Sequence, residues 1–271
     1  MFPRITIGGA TFSLYLFFNM LSLGFGVLFI FLQYSRFASI HGPKSLRNRW
    51  RWSSKHPRLF MTLELLFVCL CIGLFGKALN AWFASWFTEG NANFFGNILG
   101  FVLALFLTSL VFSLSPHLVA DCFAPALPLQ LAFAKMGCFC AGCCHSFEMP
   151  SFFYNVGNER YEFPIQMVEA LFAAAFFVVA LFARRRKSLV GLSAPLIIFL
   201  YSFSRFFLEF FRADLPNVLG PFDAYQILSF AFSLLAIALW VFLIKTKNHF
   251  DMVFPLFEQD TEKKTLAVQE E

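Results

Sequence analysis

Seven stretches of this sequence are apolar and long enough to cross the hydrocarbon core of a membrane, which takes about 20 helical residues. They lie near residues 7–33, 59–87, 94–114, 118–141, 164–183, 192–211 and 224–244. The composition agrees, with 59% hydrophobic residues, only 14% charged residues and a mean hydropathy of +0.68. Such a chain cannot fold around a single water-soluble core. We therefore predict an all-α polytopic membrane protein with about seven transmembrane helices, the first of them retained because it lacks a small-residue cleavage pattern.

Positive charge marks the predicted cytoplasmic side. Lysine and arginine concentrate in the connection around residues 36–58, in the run at 184–187, and at Lys245 and Lys247. The N-terminus is then outside and the C-terminus cytoplasmic. We predict a seven-helix domain over residues 1–250 and a polar cytoplasmic tail over 251–271. The net charge of +5 follows from these loops and from anionic lipid, so no nucleic-acid partner is expected.

Ionisable and amide side chains inside the predicted spans require an explanation, because each costs about 3 kcal/mol at the bilayer centre. With the predicted orientation, most of them fall in the outer halves of their helices, which predicts a polar cavity that opens toward the outer leaflet. These outer residues are Lys77, Lys135, Gln166, Glu169, Arg205, Glu209, Arg212 and Gln226.

Arg205, Glu209 and Arg212 are spaced to lie on one face of a helix. Glu209 can therefore bridge the two guanidinium groups. One interpretation is a closed ionic triad that fixes this helix to its neighbours. The other is an anion site, because one glutamate leaves a positive charge in excess and paired guanidinium groups bind phosphate well in a dry site.

A second group of chemically active residues follows the fourth predicted span: Cys138, Cys140, Cys143, Cys144 and His145. Three interpretations are open. The cysteines are small residues at a tight helix end, or a disulfide or redox pair, or ligands of zinc or an iron–sulfur cluster, although a second separated ligand pair is missing. His145 is a candidate general base.

Five motifs of this chain occur in the order and spacing of one known family. They are Asp121-x-x-Ala124-Pro125, Gly137-x-Phe139-x-x-Gly142, Pro164-x-Gln166-x-x-Glu169, Arg205-x-x-x-Glu209-x-x-Arg212 and Gln226-Ile227-Leu228-Ser229. With them the chain resembles the prolipoprotein diacylglyceryl transferases, seven-helix bacterial membrane enzymes. The resemblance extends from Tyr15 to the last helix and is strongest from Asp121 to Ser229.

The resemblance implies transfer of the diacylglyceryl group of phosphatidylglycerol to the lipobox cysteine thiol of a prolipoprotein, with release of glycerol phosphate. It implies the bacterial inner membrane as the location, phosphatidylglycerol and prolipoproteins as partners, and no metal or other cofactor. Arg205 and Lys135 would stabilise charge on the phosphate, with Glu209 as the third catalytic residue. The substrate-binding residues would be Arg212, Gln166, Glu169, Gln226, Tyr15, Lys77, Gly137 and Gly142.

The chain departs from the family pattern at positions that matter for chemistry. The family's asparagine-rich signature is replaced by cysteines at Cys138 and Cys143, its signature arginine by Lys135, and the histidine that assists thiol deprotonation by Phe95. Two further functions therefore stay open. One is a diverged protein of the same fold that acts on or binds another anionic lipid, and the other is a membrane thiol-redox protein.

Overall fold

The computed structural model describes residues 4–7, 10–41, 63, 66–68, 70–71, 73–79, 81–82, 94–112, 121–144, 146–155, 160–183, 189, 191–212 and 217–253. Six helices are continuous within these ranges: α1 Leu14–His41, α2 Phe94–Phe112, α3 Ala126–Ala141, α4 Ile165–Ala183, α5 Ser193–Leu208 and α6 Ala224–Val253. Helical residues also occur between 63 and 82.

Five of the described helical segments are long and apolar enough to cross a membrane. They are Leu14–Gln33, Asp121–Ala141, Ile165–Ala183, Ser193–Phe211 and Ala224–Lys245, and two shorter apolar segments are Leu66–Leu79 and Phe95–Thr108. The all-α polytopic membrane class is thereby confirmed. The number of seven spans and the orientation of the termini stay predictions.

Short antiparallel hairpins connect several helices. Strand β1 (Arg4–Ile7) pairs with β2 (Ala10–Ser13), β3 (Glu148–Asn155) with β4 (Arg160–Glu162), and β5 (Asn217–Leu219) with β6 (Phe222–Asp223). The first hairpin makes the predicted helix start at residue 7 wrong. Helix α1 begins at Leu14, where the Ser13 hydroxyl accepts a hydrogen bond from the Leu16 N–H at 3.4 Å as an N-cap.

The predicted span at 118–141 is not one uninterrupted helix. Residues 121–123 are helical, Ala124 and Pro125 form a turn, and α3 starts at Ala126. Proline lacks the backbone N–H that a continuous helix uses and restricts the residue before it, so the chain turns there.

The chain divides into two compact units. The first holds the described residues up to Ile30 and from Phe123 to Ala238, and the second holds those from Phe31 to Cys122 and from Leu239 onward. Helix α6 continues to Val253, past the predicted domain boundary at residue 250. The predicted tail beyond residue 253 lies outside the described residues.

Close helix packing in the first unit positions the candidate site. Helix α4 packs most extensively against α3 and also contacts α5. Gly137 lies against α1, because a Cβ atom there would come within 3.2 Å of the Phe18 Cβ and 3.3 Å of the Tyr15 carbonyl oxygen. The Ser22 hydroxyl donates to the Gln130 carbonyl at 2.8 Å between the same two helices. Gly137 thus allows α3 to pack closely against α1. This structural role was not part of the prediction, which placed Gly137 among the substrate-binding residues.

Candidate active site

A buried ionic network links three helices of the first unit. Glu169 on α4 forms an ion pair with Lys135 on α3, with an Nζ–Oε2 distance of 2.5 Å, and its other oxygen pairs with Arg205 on α5. The three side chains are at most 13% exposed. Because an unpaired charge at this depth is costly, the carboxylate of Glu169 is what allows two cations to lie side by side.

The network continues along the end of α5, as the spacing of its residues predicted. Glu209 pairs with Arg205 at 2.8 Å and with Arg212 at 3.3 Å, and its side chain is completely buried. The α-helix ends at Leu208 and a 3₁₀ turn over Glu209–Phe211 places Arg212 beside this carboxylate. The bridging of two guanidinium groups by Glu209 is therefore confirmed.

More cations than carboxylates take part in the ion pairs of this network. Three cations, Lys135, Arg205 and Arg212, pair with two carboxylates, Glu169 and Glu209, and Asp223 interacts electrostatically with both arginines. Cationic groups held together in a low-dielectric site attract anions strongly. The arrangement is thus both a helix clamp and a potential anion site.

A small cavity with largely apolar walls is lined in part by the network. Lys135, Glu169 and Arg205 are among its lining residues, which also include Leu131, Phe172, Phe176, Tyr201 and Leu208. Its volume is about 10 Å³, which is room for about one water molecule. Side chains must therefore move before a lipid headgroup can reach the charges.

Gln166 holds the loop that follows α3. Its Nε2 donates to the carbonyl oxygens of Cys143 and Cys144 at 2.5 and 3.0 Å. The loop is also tied to the end of α5, because Ser146 forms a β-bridge with Arg212. Gln166 thereby joins α4 to the segment that carries the cysteines.

Gly142 ends α3 in a conformation that only glycine adopts readily. Its φ of +71° is left-handed, and its N–H caps the helix by donating to the Phe139 carbonyl. The Asn155 amide donates to the Gly142 carbonyl at 3.0 Å and to Glu162 at 3.1 Å. Asn155 and Glu162 are fully buried, so this contact fixes the hairpin β3–β4 against the end of α3.

Gly142→Ala is expected to destabilise the protein by about 1–3 kcal/mol, because the left-handed conformation costs an L-residue about 1–2 kcal/mol. A new Cβ would also lie 2.5 Å from Asn155 Oδ1. Thermal unfolding in detergent measures the change. Gly24→Ala is the matched control, since nothing lies within 4 Å of a Cβ at Gly24. Equal melting temperatures for the two variants would contradict this account.

Three cysteine thiols converge just beyond the end of α3. The Sγ atoms of Cys138, Cys143 and Cys144 lie within 4.8 Å of one another and are half-buried. Cys140 is not part of this group. The described cysteines, these among them, are present as thiols.

The environment of this trio favours negative charge on one sulfur. Hydrogen bonds from the Cys138 and Cys143 thiols lower the pKa of Cys144, and the cations of Lys135 and Arg212 act in the same direction against the effect of burial. The trio thus lies within electrostatic range of the ionic network. Tyr15, which is 40% exposed, also interacts electrostatically with the three thiols.

Gln226 belongs to a capping box at the start of α6. The Asp223 N–H donates to the Gln226 side-chain oxygen at 3.0 Å, and the Gln226 N–H donates to Asp223 Oδ1 at 2.7 Å. Gln226 is 2% exposed. Its oxygen is used by the cap, so any contact with a headgroup has to come from the rest of this amide.

The remaining predicted residues lie elsewhere or outside the described residues. Lys77 is exposed on a helix of the second unit. Phe95, where the resemblance leads us to expect a histidine, lies in the first turn of α2 in that same unit and is 1% exposed. His145, the candidate base, is outside the described residues.

Comparison with known proteins decides the family. The model of the prolipoprotein diacylglyceryl transferases matches residues 58–242 of the 271. The chain belongs to this family. The match includes the residues of the ionic network, the cysteine trio and the capping box of α6.

Curated members of the family show the same relationship. The chain is similar to phosphatidylglycerol–prolipoprotein diacylglyceryl transferases of Geobacter sulfurreducens, at 30% identity over 61% of this chain and 65% of the relative. The values are 29% over 48% and 52% for Hydrogenovibrio crunogenus, and 32% over 46% and 48% for Idiomarina loihiensis. The chain thus spans about half to two thirds of the length of these relatives.

Several supporting residues escaped the sequence analysis. Asp223 could have been found, because Asp-x-x-Gln before an apolar run is a capping-box pattern. Asn155, Glu162 and Ser146 carried no such signal, since their partners are backbone groups or distant side chains. Tyr201, which lines the cavity, looked like any aromatic residue of an apolar span.

Proposed function

We propose that this protein transfers the diacylglyceryl group of phosphatidylglycerol to the lipobox cysteine thiol of a bacterial prolipoprotein at the inner membrane. The observation that carries the proposal is the buried network of three cations and two carboxylates, part of which lines a largely apolar cavity. Apolar walls beside several cations suit a molecule with acyl chains and a phosphate charge.

In the proposed reaction each residue of the network has a role. Arg205 and Lys135 stabilise the charge that develops on the phosphate as its bond to the diacylglyceryl carbon breaks. Glu169 and Glu209 hold the cations in place, and Arg212 adds positive charge just after the end of α5. Because the cations are already paired and buried, they need little reorganisation during the reaction.

The remaining predicted substrate contacts keep supporting roles in this proposal. Gln166 and Gly142 fix the loop and the hairpin at the end of α3, Gly137 lets α3 approach α1, and Tyr15 interacts electrostatically with the cysteine trio. Gln226 stays a proposed contact of the headgroup, and the role of Lys77 in substrate binding stays a prediction. These contacts stabilise the helix ends and loops around the proposed catalytic cations.

Incubation of the purified protein with phosphatidylglycerol and a lipobox peptide tests the function. We expect the peptide to gain the mass of one diacylglyceryl group, with one glycerol phosphate released for each peptide modified. A peptide with serine in place of the lipobox cysteine is the matched control and should gain nothing. Replacement of phosphatidylglycerol by phosphatidylethanolamine should likewise abolish the mass gain.

A second candidate is supported by Phe95 and the cysteine trio, which replace residues that the family uses for chemistry. In that case the protein binds or converts another anionic lipid with the same network. Folded protein that binds phosphatidylglycerol vesicles without modifying the lipobox peptide would favour this alternative over the transferase.

A further inference from the structure

The cysteine trio has no role in the proposed transfer, yet its geometry is unusual. The Sγ atoms of Cys138, Cys143 and Cys144 lie within 4.8 Å of one another. Cys138 is in the last turn of α3, and the other two residues follow the helix. Their arrangement is maintained by contacts of the backbone, because Gln166 binds the carbonyl groups of Cys143 and Cys144 and the Cys143 thiol donates to the Cys138 carbonyl at 3.6 Å.

The distances are those of a nearly formed metal site. Ligands at about 2.3 Å from a tetrahedral zinc ion lie about 3.8 Å from one another. Shifts of about 1 Å or less would bring sulfurs now within 4.8 Å to this separation. Three protein ligands with one open position is the arrangement of a catalytic zinc site, whereas structural sites use four.

The chemistry of the donor atoms decides which metal fits the site. A metal ion binds cysteine as the thiolate and releases the proton. Soft thiolate ligands in turn select zinc or another thiophilic ion over magnesium or calcium.

We propose that Cys138, Cys143 and Cys144 bind one thiophilic metal ion, zinc in the first instance, whose open fourth position takes the thiol of the acceptor substrate. The sequence resemblance predicted no metal, and the convergence of the three thiols is what leads us to this site. The inference rests on the proposed function for the identity of the acceptor, but the metal site itself does not.

A bound metal ion would supply a route to the thiolate in a chain that has Phe95 where a histidine base is expected. A thiol that coordinates zinc is deprotonated outright, so no histidine base is needed and its proton passes to water. The bound thiolate would then attack the carbon of the diacylglyceryl group that is bonded to the phosphate oxygen. A carbon–sulfur bond forms, the carbon–oxygen bond breaks, and its electron pair leaves with glycerol phosphate beside Lys135 and Arg205. No oxidant or reductant is required.

Metal analysis of the purified full chain is the first test. After exposure to zinc and dialysis, we expect one zinc ion per chain by mass spectrometry of the metal. Cys138→Ser, Cys143→Ser and Cys144→Ser should each weaken zinc binding more than roughly 100-fold. Cys140→Ser is the matched control, since Cys140 lies on the same helix as Cys138 but outside the trio, and should retain the ion.

Two results with the wild-type protein would refute the metal site, and neither depends on whether a variant folds. One is wild-type protein that binds no zinc while thiol counting shows all three cysteines reduced. The other is a disulfide between two members of the trio in protein purified under air. Zinc retained equally by the three trio variants would also refute the assignment of ligands.

Cobalt substitution tests the open position. Thiolate-to-cobalt absorption should increase by about one third when the lipobox peptide adds a fourth thiolate to three, and the serine peptide should cause no change. An unchanged spectrum with the cysteine peptide would exclude substrate coordination. The experiment uses the wild-type protein, so Tyr15 and Lys135 are unchanged and the absorption reports only the ligands of the cobalt ion.

The failure of this inference is distinguishable from failure of the proposed function. Transfer that proceeds at an unchanged rate after removal of zinc by a chelator refutes the metal's role and leaves the transferase intact. Conversely, zinc bound by the trio and coordinated by the peptide thiol, with no diacylglyceryl transfer, retains the metal site and refutes the proposed reaction.

Discussion

Arg205→Ala is expected to reduce diacylglyceryl transfer by at least roughly 100-fold, the loss typical when one preorganised charge-stabilising group is removed from an active site. Arg205 is 7% exposed and joins both carboxylates of the network. Without it, Glu169 retains its ion pair with Lys135 and Glu209 retains its ion pair with Arg212. The mass assay with phosphatidylglycerol and the lipobox peptide measures the loss.

The same substitution should also lower stability, because breaking a buried ion pair costs about 3–5 kcal/mol. Arg205→Lys separates the two effects. It retains the positive charge but not the guanidinium fork that reaches Glu169 and Glu209 together. We expect it to recover stability more fully than activity. Lys245→Ala, an exposed lysine on α6, is the control for charge removal. Full activity in Arg205→Ala would rule out the proposed role of the network.

Glu169→Gln is expected to lower kcat without weakening the binding of phosphatidylglycerol. The substitution is nearly isosteric but removes the carboxylate that both Lys135 and Arg205 contact. The substitution removes one negative charge from the network, so phosphatidylglycerol should bind at least as well as before. The cations are no longer held together, however, and kcat should fall at least roughly tenfold.

Steady-state kinetics at varied phosphatidylglycerol test this prediction. The expected result is an unchanged or lower KM with a lower kcat, accompanied by a lower melting temperature. Glu148→Gln is the matched control, because Glu148 is an exposed acid on β3 and its removal should alter neither parameter. A raised KM with normal kcat would show that Glu169 contacts substrate instead of positioning the cations.

Helix content and membrane class were predictable because they depend on local composition. A run of about 20 apolar residues has few alternatives to a helix in lipid, where every backbone polar group must be satisfied within the segment. Boundaries were less predictable. The hairpin before Leu14 and the turn at Pro125 interrupt stretches that hydropathy alone treats as continuous.

The ionic network was predictable only in part. The spacing of Arg205, Glu209 and Arg212 predicted that Glu209 bridges the two guanidinium groups. The α-helix that it assumed ends at Leu208, however, and a 3₁₀ turn brings Arg212 to the carboxylate. The contact of Glu169 with Lys135 and Arg205 joins three separate helices. No spacing within one helix encodes it, since it depends on how α3, α4 and α5 pack.

The sequence by itself determined that this chain is a polytopic membrane protein, which family it resembles, and which buried charges require partners. Only the tertiary structure decided which partners they have. It also brought Cys138, Cys143 and Cys144 together while leaving Cys140 apart. The physical reason is that hydropathy and helical spacing act along the chain, whereas pairing of charges and convergence of thiols depend on distances between segments that only packing sets.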